Sequence, residues 1–115
     1  MPIAIYHNPK CSTSRKVLEV LRVRGLDPRV VDYLKTPLTK PELAALAKRL
    51  GVSPRAMLRR RDPAFAALNL DDPSVSDDAI LDAMVAHPVL LERPVVVTPK
   101  GARLCRPPEL VDELI

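Results

Sequence analysis

Residues 6–15 read Tyr-His-Asn-Pro-Lys-Cys-Ser-Thr-Ser-Arg. A histidine, a thiol, hydroxyls and two cations fall within one short stretch, between an apolar run and the start of a helical pattern. These are the parts needed to make and use a thiolate. A cysteine at a helix N-terminus faces free backbone N–H groups and the positive end of the helix dipole, and both favour negative charge. Such a position lowers a thiol pKa. Lys10 and Arg15 are expected to push the same way where they point toward the sulfur. His7 is expected to add a cation or a hydrogen bond, according to its protonation.

Cys11 and Ser14 form a C-x-x-S spacing. Thioredoxin-type motifs carry a second cysteine there, which resolves a mixed disulfide. Ser14 can donate a hydrogen bond to a thiolate but cannot form a disulfide. The spacing therefore predicts a one-thiol enzyme that needs an external thiol. The separation of Cys11 from Arg15 is also too short for a tyrosine-phosphatase loop, which disfavours phosphatase chemistry. The plainer readings are a structural loop cysteine, a hydrogen-bonding His7 and a first-turn helix serine. The other cysteine, Cys105, reads as a small buried or half-buried strand residue rather than a resolving thiol.

Arginines elsewhere supply a possible oxyanion site. Arg59-Arg60-Arg61 follows a short helix, and the default for each is a solvated cationic face. Arg93 precedes Pro94, a candidate cis peptide at the start of a strand. Arg106 follows Cys105 directly. If the two strands pair as a hairpin, Arg93 and Arg106 meet at one edge. Converging guanidinium groups repel unless an anion lies between them, and their planar forks suit tetrahedral oxyanions.

The elements needed to position these groups follow from pattern. Ile3–Tyr6 is a short apolar run that fits a strand, and a helix is expected from about Thr13 to Arg24, stopped by Gly25. Arg29–Tyr33 reads as a second strand, completing a parallel βαβ unit. Thr39 and Glu42 have capping-box spacing ahead of a helix ending at Gly51. Short helices are expected from Ser53 to Leu58 and within Asp62–Leu70, and a further helix opens at Ser76. Pro94–Thr98 and Ala102–Cys105 form a β-hairpin across Pro99-Lys-Gly101, and a last helix runs from about Glu109 to Ile115. The order is βαβ, helices, then ββα. It predicts one α/β domain over residues 1–115, a thioredoxin-like βαβ–ββα sheet with a helical insertion after the second strand.

Composition sets the outer bounds. The 115 residues are 47% apolar and 28% charged, a globular balance. With 18 basic and 14 acidic residues the formal charge is +4, a mild bias that suits a small anion. One Phe and no Trp leave few stacking platforms, which argues against nucleic acid. No stretch reaches membrane-spanning length, and the first residues lack a basic region followed by a long apolar core. A cytoplasmic protein with no membrane association is expected.

Four separated blocks carry a resemblance: residues 6–15, Pro-Arg-Ala-Met-Leu-Arg-Arg (54–60), His-Pro-Val-Leu-Leu-Glu-Arg-Pro-Val-Val-Val-Thr-Pro (87–99) and Arg-Leu-Cys-Arg-Pro (103–107). Together they closely resemble the glutaredoxin-linked arsenate reductases, over nearly the whole chain. The resemblance implies a thioredoxin-like fold and reduction of arsenate to arsenite, with glutathione as co-substrate, glutaredoxin as partner and no bound cofactor or metal. It implies Cys11 as nucleophile, His7 and Ser14 as residues tuning it, and Arg59, Arg93 and Arg106 as oxyanion ligands. Two alternatives remain open on the sequence: an Spx-like redox-responsive regulator binding RNA polymerase, and a glutathione-dependent reductase of another substrate. Spx-type proteins commonly carry C-x-x-C, whereas this chain has C-x-x-S and all three arginines.

Overall fold

The structure is a computed structural model that describes residues 3–115. The described residues divide into two compact units, one made of those up to Thr36 with Arg93–Ile115, the other Pro37–Glu92.

The first unit holds the sheet. Strands β1 (Ala4–His7), β2 (Arg29–Asp32), β3 (Val95–Thr98) and β4 (Gly101–Leu104) lie in the order β2-β1-β3-β4. β1 pairs parallel with β2 and antiparallel with β3, and β3 pairs antiparallel with β4. Helix α1 (Ser12–Val23) connects the two parallel strands. Its buried residues Ser14, Val17, Leu18 and Leu21 recur at one-face helical spacing. Val17, Leu18 and Leu21 meet Ile5 of β1, Val96 of β3, Cys105, and Val111 and Leu114 of the C-terminal segment in one apolar cluster. This is the expected thioredoxin-like βαβ–ββα arrangement.

Gly25 stops α1 as expected. It takes φ +75°, and Gly25 and Leu26 return their N–H groups to Arg22 and Leu21. This is the double bond of a Schellman ending, for which glycine is the cheapest residue. The C-terminal segment differs from expectation. Pro108–Leu114 winds as a 3₁₀ helix, not an α-helix. Its last carbonyl bond is lateral: Thr98 Oγ1 donates to the Leu114 carbonyl at 3.0 Å, tying the segment to β3. β2 is an edge strand with Val30 exposed, and Tyr33 lies just past its end.

The second unit is the helical insertion between β2 and β3. Helix α2 (Lys40–Leu50) opens on the predicted capping box: the Glu42 N–H donates to Thr39 Oγ1, and the Thr39 N–H to Glu42 Oε1. Short 3₁₀ turns at Pro54–Met57 and Pro88–Leu90 flank α3 (Pro63–Ala67) and α4 (Asp77–Ala86). The turn at Pro88–Leu90 was not legible in the apolar periodicity. Leu43, Leu46, Ile80, Met84, Met57, Phe65 and Leu90 are buried. Arg55 acts as a staple: its guanidinium donates to the carbonyls of Leu70, Asp72 and Val75. Lys40 of α2 bridges Asp78 and Asp82 of α4.

Replacing the cap, Thr39→Ala, should cost about 1 kcal/mol of stability. Denaturant unfolding measures this, and an unchanged midpoint would show that the capping box carries no net stability.

Candidate active site

The register of the sheet brings distant sequence together. Tyr6 of β1 lies opposite Val95 of β3, and Val95 lies opposite Leu104 of β4. The chain leaving β1, the residues entering β3 and the residues leaving β4 therefore share one sheet edge. Those residues are His7 to Cys11, then Arg93 and Pro94, then Cys105 and Arg106. Arg93–Pro94, the candidate the sequence offered, is cis, and so is Arg106–Pro107.

Cys11 is the N-cap residue of α1, half-buried, with extended backbone at φ −93° and ψ 121°. The loop that holds it is closed by its own bonds. The Cys11 N–H donates to the Asn8 carbonyl at 3.0 Å, and the Lys10 N–H donates to Asn8 Oδ1 at 2.9 Å. Arg106 Nη1 lies 3.7 Å from the Cys11 sulfur and donates to the Arg93 carbonyl at 3.2 Å. Both arginines that the hairpin was expected to bring together thus meet at the thiol.

Burial is the largest single influence on Cys11 and pushes its pKa up. Against it act the Ser14 backbone N–H, the hydrogen bond and charge of Arg93, and the Arg106 hydrogen bond; together they win, and the thiol titrates below its ordinary value. Cys105 behaves oppositely. It is fully buried, and burial pushes its pKa up to about 12. Both cysteines are free thiols, so only Cys11 is equipped to react.

The structure corrects two expectations about the loop and decides a third, that of His7, in favour of the hydrogen bond. Arg15 does not serve the sulfur: its Nη1 donates to the Pro9 carbonyl at 2.9 Å, and Lys10 is exposed. The cations on the thiol come from the other end of the chain. His7 is no third cation either. Burial lowers its pKa, opposed by Asp32 and aided by Arg22 and Arg15, so the ring is neutral at neutral pH. Ser14 reaches Cys11 through its backbone N–H, while its hydroxyl pairs with His7 Nδ1 at 2.6 Å and accepts the Asn8 N–H at 3.1 Å. His7 and Ser14 are both buried, and their pairing fixes the end of β1 to the first turn of α1.

Arg59 belongs to the second unit. It is half-buried, and its Nη1 pairs with Glu92 Oε1 at 3.0 Å. Backbone bonds from Arg59 N–H to the Leu90 carbonyl and from Glu92 N–H to the Met57 carbonyl frame that pair. Arg60 and Arg61 are exposed, as the default reading held; Arg60 lies over the Phe65 ring and pairs with Asp71. Sequence reasoning missed Asn8 and Tyr33. Tyr33 is buried, and burial raises its phenol pKa against the lowering influence of Arg93 and the Asn8 side chain. An aromatic at a strand end carries no signal of that neighbourhood.

Residues 6–114 match the ArsC family. The chain belongs to that family. It is 48% identical over 115 residues to an arsenate reductase of Rhizobium meliloti, covering 100% of this chain and 82% of that protein. It is 47% identical over 113 residues to an arsenate reductase of Escherichia coli K12, covering 98% and 80%. Among solved structures, one described as an arsenate reductase from Vibrio cholerae superposes with a TM-score of 0.96 at 46% identity, covering 100% of this chain and 98% of the other. No helix among the described residues is long and apolar enough to cross a membrane.

The pH dependence of Cys11 alkylation by iodoacetamide tests the electrostatics. The thiolate reacts, so the rate should stay high as pH falls and drop only below the ordinary thiol range. Arg106→Gln removes a cation from the sulfur and should move the midpoint up by about one unit. An unmoved midpoint would show that Arg106 does not stabilise the thiolate.

Proposed function

We propose that this protein is an arsenate reductase, and that residues 1–115 act as a single domain of that type. One observation carries the reading: an ArsC-family chain holds a single reactive thiol with two guanidinium groups on it. That is a nucleophile beside an oxyanion cradle. Cys11 acts as the nucleophile. Arg93 and Arg106 hold the arsenate oxygens, with Arg59 as the third oxyanion ligand. His7 and Ser14 serve as the neutral pair that fixes the thiolate loop.

In the first step the Cys11 thiolate attacks arsenic. A sulfur–arsenic bond forms, an arsenic–oxygen bond breaks, and the oxygen leaves as water after protonation. Guanidinium donors offset the charge on the remaining oxygens. Glutathione then attacks the adduct and displaces a second oxygen, giving an arsenic that bears two sulfurs. A glutaredoxin thiol attacks the glutathione sulfur. The new sulfur–sulfur bond leaves an electron pair on arsenic, taking it from As(V) to As(III). Hydrolysis of the remaining bond releases arsenite and restores Cys11. An outside thiol is needed because Ser14 cannot form a disulfide and Cys105 is buried with a raised pKa. Phosphate has nearly the shape of arsenate, so the redox step at arsenic supplies the selectivity. The reaction requires no bound cofactor and places the protein in a reducing compartment, the cytoplasm.

Arsenate-dependent NADPH oxidation, coupled through glutathione, glutaredoxin and glutathione reductase, tests this. Activity is expected in the parent, absent in Cys11→Ser and largely kept in Cys105→Ser. No activity above background in the parent would overturn the reading. Arg59→Ala removes a charged hydrogen bond of about 1.5–3 kcal/mol, so the KM for arsenate should rise roughly tenfold or more; an unchanged KM and turnover would remove Arg59 from the site.

A further inference from the structure

Two of the three arginines assigned to the oxyanion are held by consecutive residues of the chain. The Glu92 carboxylate pairs with Arg59 Nη1 at 3.0 Å, and the carbonyl of Arg93 accepts from Arg106 Nη1 at 3.2 Å. Arg93 is itself the third of these arginines. The dipeptide Glu92-Arg93 therefore engages the whole set. We propose that Glu92 is a positioning residue of this site, its carboxylate fixing the Arg59 guanidinium so that one edge of the fork stays open to the oxyanion. The proposal deepens the arsenate reductase reading, from which it takes the role of Arg59.

Backbone pairing delivers the two side chains to each other. Leu58 and Leu91 form an antiparallel bridge. The Arg59 N–H donates to the Leu90 carbonyl at 2.7 Å, and the Glu92 N–H to the Met57 carbonyl at 2.8 Å. Arg59 thus lies opposite Leu90, two residues from Glu92, on a diagonal that long side chains span. Met57, Leu58, Leu90 and Leu91 are all buried, so apolar packing anchors both backbones. The charged side chains are themselves mostly covered, 18% and 21% exposed. A pair at that depth is screened less than a surface pair. Among the described residues, Glu92 is the one hydrogen-bond partner of the Arg59 side chain.

A carboxylate on an oxyanion ligand has to hold the cation without using it up. This pair does so by being one-sided: one carboxylate oxygen meets one terminal nitrogen. A guanidinium carries five N–H donors, which leaves Nε and Nη2 for a second anion. The bond to Glu92 also orients a plane, and a bidentate grip on a tetrahedral oxyanion depends on that plane. Arg60 gives the contrast. It pairs with Asp71 at 3.3 Å from a side chain that is 60% exposed, an arrangement that orients little. Of the three consecutive arginines, Arg59 alone is half-buried.

Glu92→Ala removes the hold and keeps Arg59. The first readout is protection of Cys11 by inorganic phosphate, which has nearly the shape of arsenate and is not reduced. Alkylation by iodoacetamide is followed against phosphate at constant ionic strength, with the modified site located by peptide mass. The phosphate concentration for half protection should rise roughly fivefold in Glu92→Ala, while far-ultraviolet circular dichroism is unchanged. Glu92→Gln keeps an acceptor oxygen and should recover most of that loss. In the coupled assay the arsenate KM of Glu92→Ala should rise by a similar factor, with kcat less affected. Adding Glu92→Ala to Arg59→Ala should weaken phosphate no further, because the carboxylate acts through that arginine. Unchanged or tighter protection in Glu92→Ala would overturn the proposal. So would failure of Glu92→Gln to recover the loss, or further weakening in the double variant. A raised pH midpoint of Cys11 alkylation in Glu92→Ala would route the effect through Arg93 and overturn it too. A parent that phosphate does not protect would do the same, since no oxyanion is then held. A parent that fails to reduce arsenate, yet loses phosphate protection in Glu92→Ala, would sink the reductase reading and leave the positioning role standing. Should Glu92→Ala not fold, Glu92→Met keeps the length of the side chain without the acceptor; the same loss is expected, and unchanged protection would overturn the proposal.

Discussion

A half-buried thiolate is the demand around which the first unit is organised. Taking a charge partly out of water costs several kcal/mol unless donors replace the lost solvent. Here burial is the strongest influence on Cys11, and it acts against ionisation. The opposing groups come from three parts of the chain: the first turn of α1 through the Ser14 N–H, Arg93 two residues before β3, and Arg106 two residues after β4. No one of these outweighs burial by itself. The sheet must therefore form before the thiolate is stable. Tyr6, Val95 and Leu104 lie in line across β1, β3 and β4, which is the register that brings all three donors to one edge.

The neutral groups at this edge matter as much as the charged ones. His7 is buried and uncharged, paired with the Ser14 hydroxyl. A cationic His7 would help a thiolate, yet it would add a third positive group to a small volume and carry its own cost of burial. As a neutral ring it acts on position instead. With Asn8 it ties the end of β1 to the first turn of α1, and Cys11 is carried between them. The carbonyl of Arg93 follows the same logic, anchoring the Arg106 guanidinium while leaving its charge to the sulfur.

Much of this was legible in the chain because it is local. The capping box at Thr39 and Glu42, the glycine stop after α1 and the hairpin turn each depend on a few adjacent residues. The meeting of Arg93 and Arg106 was also legible, since antiparallel pairing alone sets it. What failed was the direction of long side chains. Lys10 and Arg15 flank Cys11 in sequence, but a flexible cation follows the nearest acceptor, and for Arg15 that is the Pro9 carbonyl. The hydroxyl of Ser14 went to a buried imidazole rather than to the sulfur for a similar reason: a buried ring nitrogen has a larger need for a partner than a half-exposed thiolate with other donors. Tyr33 stayed hidden because an aromatic at the end of an edge strand reads as core filling. At the C-terminus the period of the apolar residues suited either helix type; the Thr98 bond to the Leu114 carbonyl is a tertiary contact that no local pattern reports.

The serine at the fourth position of C-x-x-S joins these points. In a two-thiol motif the second sulfur would stand one helical turn on from the first, within reach of it. Ser14 is fully buried, with its hydroxyl committed to His7 and the Asn8 N–H and its backbone N–H given to Cys11. A residue so engaged fixes the turn instead of moving with it. The other thiol cannot substitute, since Cys105 is fully buried and its pKa is raised. Any disulfide made with Cys11 in the folded state must then be made with another molecule. The rigidity that stabilises the thiolate and the dependence on an outside thiol are two consequences of one buried hydroxyl.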